Sequence, residues 1–150
     1  LVDRNLLFIT ENSPSKKGYT KGAYYNDDQL ISFHYQLRPH FYPTELIVIK
    51  NKVIVLERKY IKGQGNELRL VYFNIDKIKP DAMIDTKELI HLKPPFPLDN
   101  FEAMDYLQMD KNNYKIFIFS DNNFNPKQKN LLLVLNYIDW KYYKSIVPTF

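Results

Sequence analysis

Carboxylates at the ends of short apolar runs are the side chains in this sequence with the clearest chemical potential. Glu11, Glu57 and Asp121 close the apolar stretches 7–10, 53–56 and 116–120, Glu45 and Glu102 open the stretches 46–49 and 103–106, and Asp99 stands just ahead of Glu102. Carboxylate oxygens, with the amide oxygens of Asn100 and Asn122 beside them, are hard ligands of the kind that calcium takes. Glu45, Glu57, Asp99 and Glu102 are the candidate metal ligands. A cation so held would grip phosphate oxygens and polarise an attacking water. Glu57, Glu102 and Asp121 are then the candidate catalytic carboxylates, and Arg58, Arg69, Asn100 and Asn122 the candidate substrate-binding residues. The same residues carry a purely architectural alternative. Asp-Asn and Asp-Asn-Asn clusters form turns by capping backbone donors, and Glu57 with Arg58, or Glu102 with Arg69, would serve as ion pairs.

Other chemistries are excluded more firmly. The sequence has no cysteine, so disulfides, thiol nucleophiles and cysteine metal sites are absent. Its three histidines lack metal-ligand spacing. With four glycines it contains no phosphate-binding glycine loop and no nucleophile elbow. Ser120 is the one serine inside a motif, and no neighbouring base activates it. Lys and Arg exceed Asp and Glu by 21 to 17, but the lysines are scattered singly and form no basic stripe, so no nucleic-acid partner is expected. The longest apolar runs are far too short to span a bilayer, and no membrane association is expected. The first residue is Leu1 rather than methionine, which suggests processing or omission upstream.

The elements that must position these acids are strands. Twelve Tyr and ten Phe spread among Ile, Leu and Val favour sheets, and an all-β class is expected. The runs ending in Glu11, Glu57 and Asp121 read as buried strands. Each is followed by a turn-rich stretch and a more alternating strand, at 29–37, 67–75 and 130–137. The second and third units have an earlier strand, 45–49 and 102–106, joined by short turns at 50–52 and 110–113. The acids recur at spacings of 46 and 64 residues, against about 40–50 per blade in a β-propeller, where loops lengthen the unit. The reading is a β-propeller fragment of about two and a half four-stranded blades: later strands of one blade at 6–37, a whole blade at 45–92, and three strands at 101–137. Residues 77–89, cut by Pro80, are the excursion between the third and fourth strands of the central blade, and the prolines of 93–97 make an inter-blade linker. Residues 1–138 form the partial propeller and 139–150 a C-terminal tail, in which Trp140, Tyr142 and Tyr143 would pack on or complete the last blade.

These motifs resemble one family. Ser120-Asp121-Asn122-Asn123-Phe124 with Gln128 and the leucines from 131, Leu98-Asp99-Asn100-Phe101-Glu102, Glu45-Leu46, and Leu56-Glu57-Arg58 with Arg69 are similar, in order, to signatures of the phytase-like β-propeller family described as having esterase-like activity of phytase. The resemblance covers about residues 6–138 and corresponds to the C-terminal half of the family domain. Ala103 stands where the family usually has glycine. The resemblance implies metal-assisted hydrolysis of phosphate esters in a full-length form, with calcium as the cofactor, a small phosphorylated or ester substrate, and a secreted or periplasmic location. Two alternatives stand beside it: a non-catalytic propeller that binds a ligand or partner on its rim, and an inactive fragment of a split gene product. Fold alone does not choose among them. Open sheet edges, if present, would be met by self-association, by a partner chain, or by the tail folding back as a final strand.

Overall fold

The computed structural model describes residues 5–139 and the backbone of 144–149; Trp140, Tyr142 and Tyr143 lie outside the described residues. The chain is all-β, with three four-stranded sheets among the described residues. The first sheet holds β1 (Leu6–Lys16), β2 (Tyr19–Asn26) and β3 (Gln29–Gln36); the second opens with β4 (Tyr42–Ile49), β5 (Lys52–Ile61) and β6 (Gly65–Asn74). A single 3-10 turn, Ile75–Lys77, leads into β7 (Met83–Ile84), and β8 (Lys87–Leu92) completes the second sheet beside β6. The third sheet contains β9 (Phe101–Gln108), β10 (Asn113–Ser120), β11 (Leu132–Asp139) and β12 (Lys144–Thr149). Among the described residues no helix is long and apolar enough to cross a membrane.

Tight turns set these registers. Asp27 and Asp28 at φ 45° and 63° join β2 to β3, the left-handed pair that a two-residue hairpin loop requires. Lys50, at φ 55°, begins the turn between β4 and β5, where the sequence pattern placed it. The Asp110 carboxylate accepts the backbone N–H groups of Asn112 and Asn113, both at 2.9 Å, and closes the β9–β10 turn.

The period of two along the central sheet divides its side chains between two cores. Val53, Val55, Val71 and Phe73 face the first sheet and pack with Phe33 and Tyr35. Ile54, Leu56, Leu68 and Leu70 face the third and pack with Met104, Ile116, Ile118 and Leu135. The central sheet is therefore covered on both faces, as a run like 53–56 demands. Each such side chain taken from water contributes roughly 1.5–3 kcal/mol. Within the first sheet, Gly22 pairs with Phe33, and a Cβ there would lie 2.3 Å from the Phe33 ring. The glycine makes room for a buried aromatic ring.

Strand direction shows how the sheets correspond. The starts of β4 and β9 meet at one end of the molecule, where Pro43, Thr44 and Glu102 lie together with Ile9 and Glu11 of β1. At the other end Val48 and Lys50 lie with Asp105 and Tyr106, and here the β1 neighbours are Asn5, Leu6 and Leu7. Hence β4 and β9 run the same way and β1 runs against them, in the direction of β5 and β10. β1, β2 and β3 are the equivalents of second, third and fourth strands, and among the described residues no strand fills the first position of that sheet. This agrees with reading 6–37 as the later strands of one blade.

Two details differ from the sequence reading. Tyr19–Asn26, passed over as turn-rich, is a full strand between the two strands read at 7–10 and 29–37. The excursion at 77–89 does lie between β6 and β8, but it also gives β7 to the first sheet, parallel to β3, with the His34 N–H donating to the Ala82 carbonyl at 2.8 Å. Residues 144–149 pair with β11 as the fourth strand of the third sheet, the fold-back solution for that edge. Among the described residues there are three sheets of four strands, the first of them completed by the two-residue β7.

Candidate functional site

Alternation along β5 sends the neighbours Glu57 and Arg58 to opposite faces. Glu57 takes the face of Val53 and Val55, toward the first sheet; Arg58 takes the face of Ile54 and Leu56, toward the third. Two polar arrangements result, one buried and one open.

In the buried arrangement, Glu57 and its cross-strand partner Arg69 are each 1% exposed. The Tyr35 hydroxyl donates to Glu57 Oε1 at 2.7 Å. Arg69 pairs with Glu57 Oε2 at 3.4 Å and with Glu88 at 3.2 Å, contacts that bring opposite charges together without hydrogen-bond geometry. The guanidinium lies 4.8 Å from the centre of the Phe41 ring, and Lys59 sits over the same ring at 5.3 Å. Burial pushes the Glu57 carboxyl above the ordinary glutamate value, opposed by the Tyr35 hydrogen bond and the Arg69 charge. Burial and the nearby Glu57 push the Tyr35 hydroxyl well above the usual tyrosine value.

The open arrangement is a cleft of about 370 Å³ where the starts of β4 and β9 meet β1. Its lining includes Glu11, Thr44, Arg58 and Glu102. Glu102 Oε1 accepts a hydrogen bond from Asn100 Nδ2 at 2.6 Å and pairs with Arg58 at 3.8 Å. Asn100 is itself buried, and its carbonyl accepts the Asp121 N–H at 3.0 Å. The Thr44 hydroxyl donates to the Phe101 carbonyl at 3.3 Å and ties β4 to β9. The lining of the cleft thus offers a guanidinium and two carboxylates, one of them aimed by a buried amide.

The remaining candidates serve the loops around this cleft. Asp99 accepts the N–H groups of Asn100 at 2.9 Å and of Lys129 at 2.8 Å. Asp121 accepts the Asn123 N–H at 3.1 Å, and Asn122 Oδ1 accepts that of Phe124 at 3.1 Å; this is the turn-capping role open to such a cluster. Asn123 and Phe124 hold the left-handed conformation there, at φ 48° and 55°. Ser120 donates to the Lys129 carbonyl at 2.7 Å and accepts the Leu131 N–H at 2.8 Å. Glu45 accepts the N–H of its neighbour Leu46 at 2.8 Å.

The four candidate metal ligands therefore do not converge. Glu57 is buried toward the first sheet, Asp99 is engaged with two backbone donors, and Glu45 and Glu102 lie on different strands; among the described residues no three acids or histidines stand close enough to share an ion. This donor set does not fit calcium, which takes six to eight oxygens. Glu102 and Arg58 do meet, with Glu11 from β1. Sequence reasoning missed Thr44, which belongs to no motif, Tyr35, whose contact with Glu57 joins two sheets, and Phe41, whose ring meets Lys59 and Arg69 from neighbouring strands.

Comparison with known proteins bears on the same elements. Residues 3–124 match the phytase-like family model, described as esterase-like activity of phytase. The chain belongs to the phytase-like family. The match takes in the first two sheets, β9, β10 and the Asp121–Asn123 turn, and ends before β11. No curated protein and no solved structure matches significantly.

Proposed function

We propose that this phytase-like chain forms the ligand-binding rim of a β-propeller and takes a small phosphate ester into the cleft between β1, β4 and β9. The observation that carries the reading is the convergence of Arg58, Glu102 and Glu11 on that cleft. A guanidinium suits phosphate oxygens because its planar donors match them in pairs. Glu102, oriented by Asn100, is the carboxylate placed to take a proton from an attacking water, given a bound ester beside Arg58. Glu57 and Arg69 act on the architecture, and Asp121 and Asn122 hold the turn that supports Asn100. A cation in this cleft would find two carboxylates on this chain and would need further oxygens from elsewhere.

A non-catalytic binding role is the second reading, favoured by the lack of convergence of the candidate metal ligands. Incubating the chain with p-nitrophenyl phosphate and with p-nitrophenyl acetate, each with calcium and with chelator, separates the possibilities. The proposal expects the phosphate ester to bind and turn over. Arg58→Ala should weaken binding about 10-fold or more, the loss of roughly 1.5–3 kcal/mol for a charged hydrogen bond, and Glu102→Gln should abolish turnover while retaining binding. Binding without turnover selects the non-catalytic reading. Failure to bind either ester, or acetate cleavage that persists in Glu102→Gln, overturns the cleft as the site.

A further inference from the structure

We infer that the cleft selects phosphate esters of a primary amino alcohol, with the phosphate on Arg58 and the ammonium on Glu11 and Thr44; this rests on the phosphate-ester reading above. The selection follows from which hydrogen-bonding atoms of the lining are uncommitted. Six described residues line the space, Ile9, Glu11, Pro43, Thr44, Arg58 and Glu102, and Arg58 is the one cation among them. Its guanidinium stands 3.8 Å from Glu102, beyond hydrogen-bond reach, and makes no hydrogen bond among the described residues. Its donors are open to an anion, and a phosphate takes them in pairs. A second phosphate would find no further cation in the lining and would be repelled by Glu11 and Glu102, so one phosphate per ligand is the limit.

The other polar side chains of the lining offer acceptors. Thr44 gives its hydroxyl proton to the Phe101 carbonyl at 3.3 Å, which leaves its oxygen to accept. Glu102 Oε1 takes the Asn100 amide at 2.6 Å, and Glu11 makes no side-chain hydrogen bond or ion pair among the described residues. A ligand that answers this lining brings one anionic group for Arg58 and N–H donors for the remaining oxygens. A primary ammonium has three such donors. A quaternary ammonium has none and is recognised on aromatic faces, and among the described residues no aromatic side chain lines this cleft. Glu11 comes from β1 and Arg58 from β5, so different sheets hold the two charged ends of the ligand. A space of about 370 Å³ is near the lower end of ligand sites, roughly 300–1,000 Å³, and suits a short linker between those ends. Glu102, aimed by Asn100, stays with the attacking water.

The test titrates the full chain by calorimetry with O-phosphoethanolamine, O-phosphocholine and ethyl phosphate. The first carries a phosphate and a primary ammonium, the second the same groups without N–H donors, and the third a phosphate alone. O-phosphoethanolamine should bind about 10-fold or more tightly than either of the others, the scale of one charged hydrogen bond. Glu11→Gln should bring its affinity down to about that of O-phosphocholine, and Arg58→Ala should weaken all three. Vesicles of phosphatidylcholine, with and without phosphatidylethanolamine, separate the two sources of this group. Sedimentation with the phosphatidylethanolamine vesicles alone, lost in Glu11→Gln, supports the inference with a lipid as the source; binding of free O-phosphoethanolamine without sedimentation supports it with a soluble ester. Equal affinity for the three probes overturns the inference and leaves the phosphate-ester reading standing, as does a preference that survives in Glu11→Gln or equal sedimentation with both vesicles. Failure of all three probes to bind overturns the phosphate-ester reading itself, and the inference with it.

Discussion

Glu57 and Arg69 show what a charged pair does once a period of two has placed it between sheets. Both are almost fully buried, and Arg69 makes ion pairs without hydrogen bonds, so removing one partner leaves an uncompensated charge in a poorly solvated place. Arg69→Ala should cost about 3–5 kcal/mol in urea unfolding, while Glu57→Leu combined with Arg69→Met should cost much less than the two single changes together. The pH dependence has a defined sign. Burial holds the folded carboxyl above its ordinary value of 4.5 and Arg69 opposes that rise. Without Arg69 the rise is larger, so the folded state binds protons more readily than the unfolded one, and stability falls as pH increases through the folded value. The deficit of Arg69→Ala should therefore be smallest near pH 4.5 and grow toward neutrality. A deficit independent of pH would mean that lost packing on Phe41, and not charge, dominates. That Glu57 and Arg58 face opposite ways was legible from alternation in 53–58. That Glu57 meets Tyr35 was not, because the contact joins β5 to β3 of another sheet.

At the scale of elements, strands with strong apolar runs were legible and the strand diluted by small and polar residues was not. β2 carries Thr20, Lys21 and Gly22 in its first half, and it is joined to β3 by Asp27 and Asp28 rather than by a glycine-containing turn, so neither its composition nor its hairpin announces it. Its identity comes from Phe33, whose ring needs the space over Gly22. Contacts between sheets were equally hidden. Asp139, at the end of β11, accepts hydrogen bonds from Lys52 and Tyr137 and pairs with Lys50 at 3.1 Å, fastening the β4–β5 turn to the third sheet. Burial raises the Asp139 pKa, but Lys52 and Lys50 outweigh it and hold the carboxyl below its ordinary value. A depressed folded pKa contributes stability above the unfolded value and loses it as pH falls through the folded one. Asp139→Asn should accordingly lower stability by about 1–2 kcal/mol at pH 7 and by progressively less below pH 4, as read from thermal unfolding across that range. A gap that persists undiminished at pH 2 would show that the side chain acts through packing.

For the whole molecule, the repeat of strand and acid made three units legible, and chain direction makes β1, β2 and β3 the counterparts of β5, β6 and β8, with no counterpart of β4 among the described residues. The side-chain pattern did not reveal how unevenly the three sheets are covered. The central sheet has a core on each face, whereas Leu6, Tyr25 and Leu30 on the first sheet and Leu107, Phe119 and Leu132 on the third remain exposed. In the registers, Leu6 pairs with Tyr25 and Tyr25 with Leu30, while Phe119 pairs with Leu132, so apart from Leu107 these form contiguous rows on sheet faces rather than scattered residues. Covered backbone opens only with the whole fold, whereas strands with one bare face and a free edge open locally at lower cost. Hydrogen exchange at low protein concentration should therefore be slowest in β5 and β6, where Val53 to Leu56 and Val71 are fully buried, and fastest among the strands in β1 and in the short β7. Raising the concentration should slow the first and third sheets before it affects the second, because association covers the exposed rows first. Uniform protection of all three sheets in a strictly monomeric chain would mean that the outer faces are covered within the molecule, and the order of opening argued from these rows would then be wrong.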